Sequence, residues 1–279
     1  MIIDFHTHLF PKSMRDNREK YFEGEPAFKM LYAWEKARLI GDDEMIQMMD
    51  EEQVDVSIAF GFPWKNQEYS KMHNDYIMEV VARYPDRIKG FCCLDTCRET
   101  AAVEVMRCID GGLSGVGELA FYETGIVCEA RDSLVPIMAI CREKDLPVMI
   151  HTNEPVGHMY PGKSENTLAQ IYDIIKRFPD NKIVLAHWGG GVFFYGLLKK
   201  EVKKVLKNVW LDTAASPFLY DPAIYRYAID IIGVEKILFG TDFPLIKPSR
   251  YFKEFEAAGL TQEETNAICG NNARELIAI

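Results

Sequence analysis

The sequence predicts an α/β fold, a closed (β/α)8 barrel, and three observations support this prediction. Short β-branched runs alternate with longer amphipathic segments from one end of the chain to the other. There are eight such runs, and from the second onward they begin about 26 to 36 residues apart, as expected when a crossover helix returns each parallel strand. The 279 residues also suffice for one barrel. We therefore expect a single domain over residues 1–279.

The eight predicted strands are separated by helical patterns with apolar residues at i, i+3, i+4 and i+7, as in Leu168, Ile171, Tyr172 and Ile175. Each apolar stripe can pack against the sheet. The predicted strands lie at residues 2–8, 54–61, 88–94, 115–119, 147–151, 182–187, 209–213 and 236–241.

An open, doubly wound sheet is the alternative architecture, because its strands and helices alternate in the same way. Such a sheet usually carries a ligand-binding turn after its first strand. The glycine pair Gly115 and Gly117 resembles a dinucleotide fingerprint, but it lies inside the fourth run and no helix opens directly after it. The sequence therefore favours the barrel and no nucleotide cofactor.

The first connection departs from the regular spacing. Residues 9–42 form a long insert after strand 1 and before a predicted helix at 43–53. Long connections without repeats are usually functional or disordered. Two interpretations stay open: a lid over the top of the barrel, or a segment packed for its own stability. The aromatic residues of the insert include Phe22, Phe28, Tyr32 and Trp34.

Composition restricts the classes of partner. The chain carries 32 Lys and Arg against 42 Asp and Glu, so its formal net charge is -10, and we expect no nucleic-acid partner because such binding needs clustered basic residues. No apolar run approaches the ~18 residues of a membrane helix, and the N-terminus lacks a signal-peptide pattern. We expect no membrane partner and a cytoplasmic location. The seven cysteines lack paired spacing and are expected to be reduced thiols.

Polar side chains recur where the predicted strands end, at the face where barrel enzymes carry their active sites. His6 and His8 end the first run, and strand alternation places them on one face. The other strand-end candidates are Glu118, His151, His187 and Asp242. Burying such groups together without partners costs about 1–3 kcal/mol each, whereas a divalent cation satisfies all of them. We therefore predict a metal centre of one or two ions, expected to be zinc, with manganese, iron or cobalt as alternatives.

These residues and their order resemble the amidohydrolase superfamily. The most similar branch groups metal-dependent hydrolases with aminocarboxymuconate-semialdehyde decarboxylase and 2-pyrone-4,6-dicarboxylate lactonase, and the resemblance covers essentially the whole chain. It implies an amidohydrolase-type barrel in which His6, His8, His151 and Asp242 bind metal. The segments that carry it are 4–8 (DFHTH), 151, 185–190 (LAHWGG) and 239–244 (FGTDFP).

The resemblance leaves the roles of two residues open. His187 is either a metal ligand or a residue that polarises substrate or water. Glu118 stands where binuclear members carry a bridging carboxylate or a carbamylated lysine, whereas many mononuclear decarboxylases of this branch lack the bridge. The number of metal ions therefore stays open.

The leading functional hypothesis is a metal-dependent hydrolase that cleaves a small lactone, amide or ester with metal-activated water. In this hypothesis Asp242 carries the proton to the leaving group and His187 holds the electrophile. The alternative is a metal-dependent nonoxidative decarboxylase of an unsaturated or aromatic carboxylic acid. Glu118 favours hydrolysis, because it suits a bridged pair of ions. A third hypothesis is a noncatalytic barrel that binds a ligand or partner at its mouth.

Contacts to a small-molecule substrate can be predicted only from position. Aromatic residues near the strand ends are candidate walls, and basic residues of the loops are candidate partners for an anionic group. A homodimer is the commonest default for the oligomeric state. The candidate contacts are Phe62, Trp64, Tyr122, His158, Tyr160, Lys163, Trp188, Phe218, Lys247 and Arg250.

Overall fold

Eight parallel strands form the centre of the computed structural model, which describes residues 1–278. The strands are β1 (Ile3–His8), β2 (Val56–Phe60), β3 (Ile88–Gly90), β4 (Val116–Leu119), β5 (Val148–Ile150), β6 (Ile183–Leu185), β7 (Val209–Asp212) and β8 (Ile237–Leu238). β1 to β3 pair consecutively, as do β4 to β8. Bridges from Cys92 to Val116 and from Thr7 to Phe243 join the two groups at both edges. The sheet is therefore closed, which confirms the (β/α)8 barrel and excludes the open doubly wound sheet.

The helices follow the predicted alternation, and α7 shows why its sequence forms a helix. Thr167 caps its first turn by accepting a hydrogen bond from the backbone N–H of Gln170, and the buried face consists of Ile171, Ile174 and Ile175. The α-helices are α1 (Lys12–Asp16), α2 (Pro26–Tyr32), α3 (Asp42–Glu52), α4 (Gln67–Arg83), α5 (Ala101–Asp110), α6 (Cys128–Glu143), α7 (Leu168–Arg177), α8 (Lys200–Val205), α9 (Ser216–Leu219), α10 (Ala223–Ile232), α11 (Ser249–Ala257), α12 (Gln262–Asn266) and α13 (Asn272–Ile277). Of the helices described, none combines the length and hydropathy that a bilayer-spanning segment requires.

Apolar side chains fill the inside of the barrel below the strand ends. Phe5 and Phe91 meet edge to face with ring centroids 5.7 Å apart, and Met149 and Val184 belong to the same buried cluster. Fully burying side chains of this size stabilises a fold by about 1.5–3 kcal/mol each. The strand-end polar residues therefore lie on an apolar, water-poor floor, where interactions between charges are strengthened.

The insert after β1 packs around a small apolar cluster that it shares with the segment after β2, and it is attached to the barrel. Phe10 and Phe28 are buried in this cluster, and the carboxylate of Glu25 accepts hydrogen bonds from the backbone N–H groups of Lys65 and Asn66 at 3.1 and 2.6 Å. The segment from α2 to residue 38 also lines the main cavity of the barrel. The insert therefore combines internal packing with a share of the cavity lining, and its role as a lid stays a prediction.

The seven cysteines are free thiols, as the sequence indicates. Burial raises the pKa of the thiols of Cys92, Cys93, Cys141 and Cys269. These four side chains therefore behave as small apolar groups of the core.

Candidate metal centre

The six predicted metal ligands converge at the carboxyl ends of the strands. Nε2 of His8 lies 3.2 Å from Oδ1 of Asp242, and Nε2 of His187 lies 3.5 Å from Oε1 of Glu118. Within each of three groups, the potential ligand atoms all lie within 4.8 Å of one another. The three groups are His6 with His8 and Glu118, His6 with His187 and Asp242, and Glu118 with His151 and His187. Residues separated by more than two hundred positions thus form one cluster.

Three of the imidazoles present the same ring nitrogen to the cluster. Nδ1 of His187 lies 3.0 Å from the carbonyl oxygen of Ala214, and Nδ1 of His8 lies 3.4 Å from that of Gly61. A carbonyl oxygen only accepts hydrogen bonds, so each Nδ1 donates, and in the neutral form of the ring each Nε2 keeps a lone pair. His6 has the same orientation. Outer hydrogen bonds of this kind orient metal-binding histidines.

Asp212, which the sequence analysis missed, holds His6 in place. Its Oδ2 lies 2.8 Å from Nδ1 of His6, and its Oδ1 accepts hydrogen bonds from the backbone N–H groups of His187 and Ala214 at 2.8 and 3.0 Å. Asp212 is the last residue of β7, so the strand-end position that identified the other candidates was also a signal for it. It connects the ends of β1, β6 and β7.

The second ring nitrogen of His6, Nε2, provides the test of whether this cluster fits a metal. Nε2 of His6 is buried and has no hydrogen-bond partner among residues 1–278. An unpaired buried nitrogen costs about 1–3 kcal/mol, and a divalent cation among imidazoles and carboxylates would satisfy it. The donor set therefore fits a divalent metal ion.

Glu118 lies between two pairs of histidines. Its Oε2 is 3.8 Å from Nε2 of His6 and 4.0 Å from Nε2 of His8, whereas its Oε1 is 2.9 Å from Nδ1 of His151 and 3.5 Å from Nε2 of His187. Each carboxylate oxygen thus faces a different pair. The arrangement suits a ligand of one ion and also a carboxylate placed between two.

His151 is oriented differently from the other three imidazoles. Its Nε2 lies 2.9 Å from the carbonyl oxygen of Gly162, in the loop after β5, and therefore donates. Its Nδ1 faces Glu118 and the cluster. The loop that covers the site is thereby connected directly to a candidate ligand.

The electrostatic environment of the cluster favours positive charge. Burial lowers the pKa of His6, but the charges of Asp212, Glu118 and Asp242 outweigh burial and raise that pKa to about 10. Burial likewise lowers the pKa of His187, and its hydrogen bond to Glu118 and the charge of Asp242 raise it to about 9. The carboxylates therefore stabilise a proton on these rings, and the same field would attract a cation.

A cavity of about 640 Å³ opens above the cluster. Its floor includes five of the six candidate ligands, and its walls combine six Phe, Trp and Tyr side chains with aliphatic ones. Lys36 and Arg38, at the end of the insert, are the Lys and Arg residues of its described lining, and the sequence analysis did not single them out. The predicted contacts that do line it are Phe62, Tyr122, His158, Tyr160 and Phe218, and the insert residues Tyr32 and Trp34 line it as well.

Five of the predicted contacts lie outside the lining of this cavity: Trp64, Lys163, Trp188, Lys247 and Arg250. Trp64 and Trp188 are fully buried and pack in the interior. Lys163 is also buried, and its ammonium group lies 2.8 Å from Oε1 of Glu154. Lys247 pairs with Glu51 at the surface. Such side chains find partners within the fold, which position along the chain does not reveal.

The chain is similar to known proteins over nearly its whole length. A family model described as amidohydrolase matches residues 3–279. The chain is 25% identical over 337 residues to a 2-amino-3-carboxymuconate-6-semialdehyde decarboxylase from Dictyostelium discoideum, covering 99% of this chain and 91% of that protein. These matches agree with the family and branch that the sequence motifs indicate.

Solved structures show the same fold. A 5-carboxyvanillate decarboxylase from Sphingomonas paucimobilis superimposes with a TM-score of 0.79 at 18% identity, covering 100% of this chain and 99% of that chain. A dihydroxybenzoic acid decarboxylase from Polaromonas sp. JS666 superimposes with a TM-score of 0.73 at 20% identity, covering 99% of this chain and 96% of that chain. That structure contains bound manganese and the inhibitor 2-nitroresorcinol.

The prediction of a hydrolase is wrong. The three similar proteins described above are named as decarboxylases, which favours the alternative of a nonoxidative decarboxylase. Glu118 had favoured hydrolysis, but a carboxylate placed to bridge two ions does not determine which bond breaks afterwards. Manganese accompanies one of the similar enzymes, so the prediction of a divalent metal agrees with the comparison, whereas zinc is not confirmed.

Proposed function

The chain belongs to the amidohydrolase family, and we propose that it is a metal-dependent nonoxidative decarboxylase of a small aromatic or unsaturated carboxylic acid. One observation carries this proposal: the candidate ligands form the floor of a cavity whose lining includes aromatic side chains together with Lys36 and Arg38. Aromatic walls suit a planar substrate, and cationic side chains attract its carboxylate. The decarboxylases similar to this chain support the same reaction.

The proposed metal ligands are His6, His8, His151 and Asp242. Glu118 and His187 are the other two members of the cluster. A mixed set of imidazoles and carboxylates suits Mn²⁺ or Zn²⁺. We propose Mn²⁺ first, because a similar decarboxylase binds it. The bound ion would polarise oxygen atoms of the substrate and stabilise the negative charge that develops.

The reaction exchanges a carboxylate for a proton on carbon. The bond between the substrate carbon and its carboxylate breaks, carbon dioxide leaves, and the electron pair left on carbon takes up one proton. We propose that His187 donates this proton, because its Nε2 faces the cluster and the carboxylates of Glu118 and Asp242 raise its pKa and so favour the protonated ring.

Asp242 is the second proposed catalytic residue. Burial raises the pKa of this carboxyl group, but the hydrogen bond from His8 and the nearby imidazoles outweigh burial and lower it, so the group stays ionised. An ionised carboxylate beside His187 stabilises the protonated ring. The same carboxylate can accept a proton from a substrate hydroxyl group within hydrogen-bond reach.

The direct test is release of carbon dioxide by the full chain loaded with Mn²⁺, using a panel of hydroxybenzoates and unsaturated dicarboxylic acids. We expect turnover for at least one acid, and a loss of about 100-fold or more in kcat for His187→Gln with its Mn²⁺ content unchanged. A parent chain that binds Mn²⁺ but releases no carbon dioxide from any of these acids would contradict the proposal.

Metal analysis tests the role of Glu118. If this carboxylate bridges two ions, the parent binds two Mn²⁺ per chain and Glu118→Gln binds one. If it is a ligand of a single ion, both bind one, and the variant binds it more weakly. A single domain over 1–279 and a homodimer stay predictions, and sedimentation velocity tests the latter.

A further inference from the structure

His73 occupies a buried position in α4, outside the ligand cluster. Its Nε2 lies 2.6 Å from the carbonyl oxygen of Leu9, and its Nδ1 lies 2.9 Å from Nε1 of Trp64. The carbonyl oxygen only accepts and the indole N–H only donates, so Nε2 of His73 carries the hydrogen and Nδ1 accepts. The partners thus specify one neutral form of the ring. Burial, the largest effect, lowers the pKa of His73 to about 4 and agrees with this form.

The ring of His73 contacts both chain segments that position His8. Leu9 is the residue after His8, and Gly61 supplies the carbonyl oxygen that lies 3.4 Å from Nδ1 of His8. A Cβ built at Gly61 would lie 2.8 Å from the ring of His73, so the backbone of residue 61 packs directly on that ring. His73 therefore holds the chain on both sides of this candidate ligand.

We propose that His73 is a positioning residue that sets the orientation of His8 toward the metal. The inference rests on the proposed metal centre. Without the imidazole, Leu9 loses its donor and Gly61 loses the surface on which it packs. Both the segment carrying His8 and the carbonyl group that orients it then become free to shift, and Nε2 of His8 moves away from the ligand cluster.

A purely structural role for His73 predicts a different result, so a matched control separates the two roles. Asn181 is also buried, and its Nδ2 donates a hydrogen bond of 2.7 Å to the carbonyl oxygen of Met138. It precedes β6 and thus lies at the end of the barrel opposite the ligand cluster. His73→Leu and Asn181→Leu each remove a buried polar group of the interior, but only the first removes a contact near His8.

The experiment measures the Kd for Mn²⁺ in the full chain, by electron paramagnetic resonance of the free ion. Changes to the groups that orient metal-binding histidines weaken binding by about 10- to 100-fold, and we expect about tenfold for His73→Leu. Asn181→Leu should stay within about twofold of the parent. In metal-free protein, the imidazole ¹⁵N resonances of His8 should shift in His73→Leu and stay in place in Asn181→Leu.

Two milder variants keep the inference testable if His73→Leu does not fold. Trp64→Phe retains an aromatic ring but removes the indole N–H, and should weaken Mn²⁺ binding by about threefold or more. His73→Gln retains one donor and one acceptor, and should bind more tightly than Leu at this position. A parent-like Kd in both His73→Leu and Trp64→Phe would overturn the inference and leave the metal centre intact. A parent that binds no Mn²⁺ would instead remove the metal centre, and this inference with it.

Discussion

The direction of each histidine ring determines what the candidate centre can bind. His6 is held by Asp212, whereas His187 is held by a backbone carbonyl group, and both leave Nε2 facing the cluster. A carboxylate partner makes an imidazole a stronger ligand than a carbonyl partner does. At the scale of the residue, we therefore expect His6 to be the ligand most sensitive to its outer partner.

Changing Asp212 to Asn tests this expectation. The variant removes the negative charge beside Nδ1 of His6. In either orientation of the new amide, its NH2 group faces a donor, either Nδ1–H of His6 or the N–H groups of His187 and Ala214. We expect Mn²⁺ affinity to fall by about 10- to 100-fold, as is typical when such partners are lost. Titration with a competing chelator measures the affinity. An unchanged affinity in a folded variant would refute the role of Asp212.

The six candidate ligands could be identified from sequence because each is a polar residue at the end of an apolar run. Asp212 ends β7 in the same way, but its role depends on a contact with His6, which is 206 positions away in the chain. No local sequence pattern indicates such a contact. Lys36 and Arg38 were missed for a related reason. They lie in an irregular segment, where no periodic pattern indicates which side chains face the cavity.

At the scale of the element, the insert determines what enters the cavity. Its buried residues and Glu25 attach it to the barrel, and its last segment lines the cavity that contains the ligand cluster. The sequence predicted an aromatic insert in this place but left its role open. Which face of such a segment is turned inward depends on its tertiary contacts.

Removing the two basic side chains of the insert should weaken substrate binding more than it slows the chemical step. We expect Lys36→Met combined with Arg38→Met to raise KM by about tenfold or more, with kcat within about threefold, because these groups attract the carboxylate without contacting the reacting carbon. Lys71→Met is the control, since Lys71 pairs with Asp75 on the surface of α4. A fall in kcat alone would contradict this role.

Helix α4 should make stability depend on pH through His73. Its folded pKa of about 4 lies below the usual value of 6.5, so the unfolded chain takes up the proton first as pH falls. Stability is therefore complete above pH 6.5 and declines between pH 6.5 and 4, by about 2 kcal/mol at pH 5.

Urea denaturation at pH 7 and pH 5, with chelator present, measures this loss. The parent should lose about 2 kcal/mol more than His73→Gln, because the glutamine at this position does not titrate and the other titratable groups are the same in both proteins. Equal losses in the two proteins would show that other groups cause the pH dependence.

At the scale of the whole molecule, the metal centre joins strands from both groups of the barrel. The candidate ligands come from β1 and β4 and from the segments after β5, β6 and β8, so one ion would connect elements that are distant in sequence. The fold was predictable because its alternation recurs along the entire chain. The reaction was not, because it depends on the groups that surround the substrate rather than on the ligands.

Metal binding should therefore stabilise the whole fold. At a free Mn²⁺ concentration about 100 times Kd, the gain is about 2.7 kcal/mol. This corresponds to a Tm increase of about 5 °C, which a chelator should reverse. Calcium prefers sites made entirely of oxygen ligands and serves as the control ion, with little effect expected. An equal response to both ions would argue against a centre built from imidazoles.

The most direct test of the proposed reaction follows the substrate carbon that loses its carboxylate. The full chain, loaded with Mn²⁺, is incubated with an accepted carboxylic acid in D2O, and the products are analysed by NMR and by carbon dioxide release. We expect one carbon dioxide per product molecule and one deuterium on the carbon that carried the carboxylate. Cleavage of esters or lactones with entry of solvent oxygen, without release of carbon dioxide from any acid, would contradict the account.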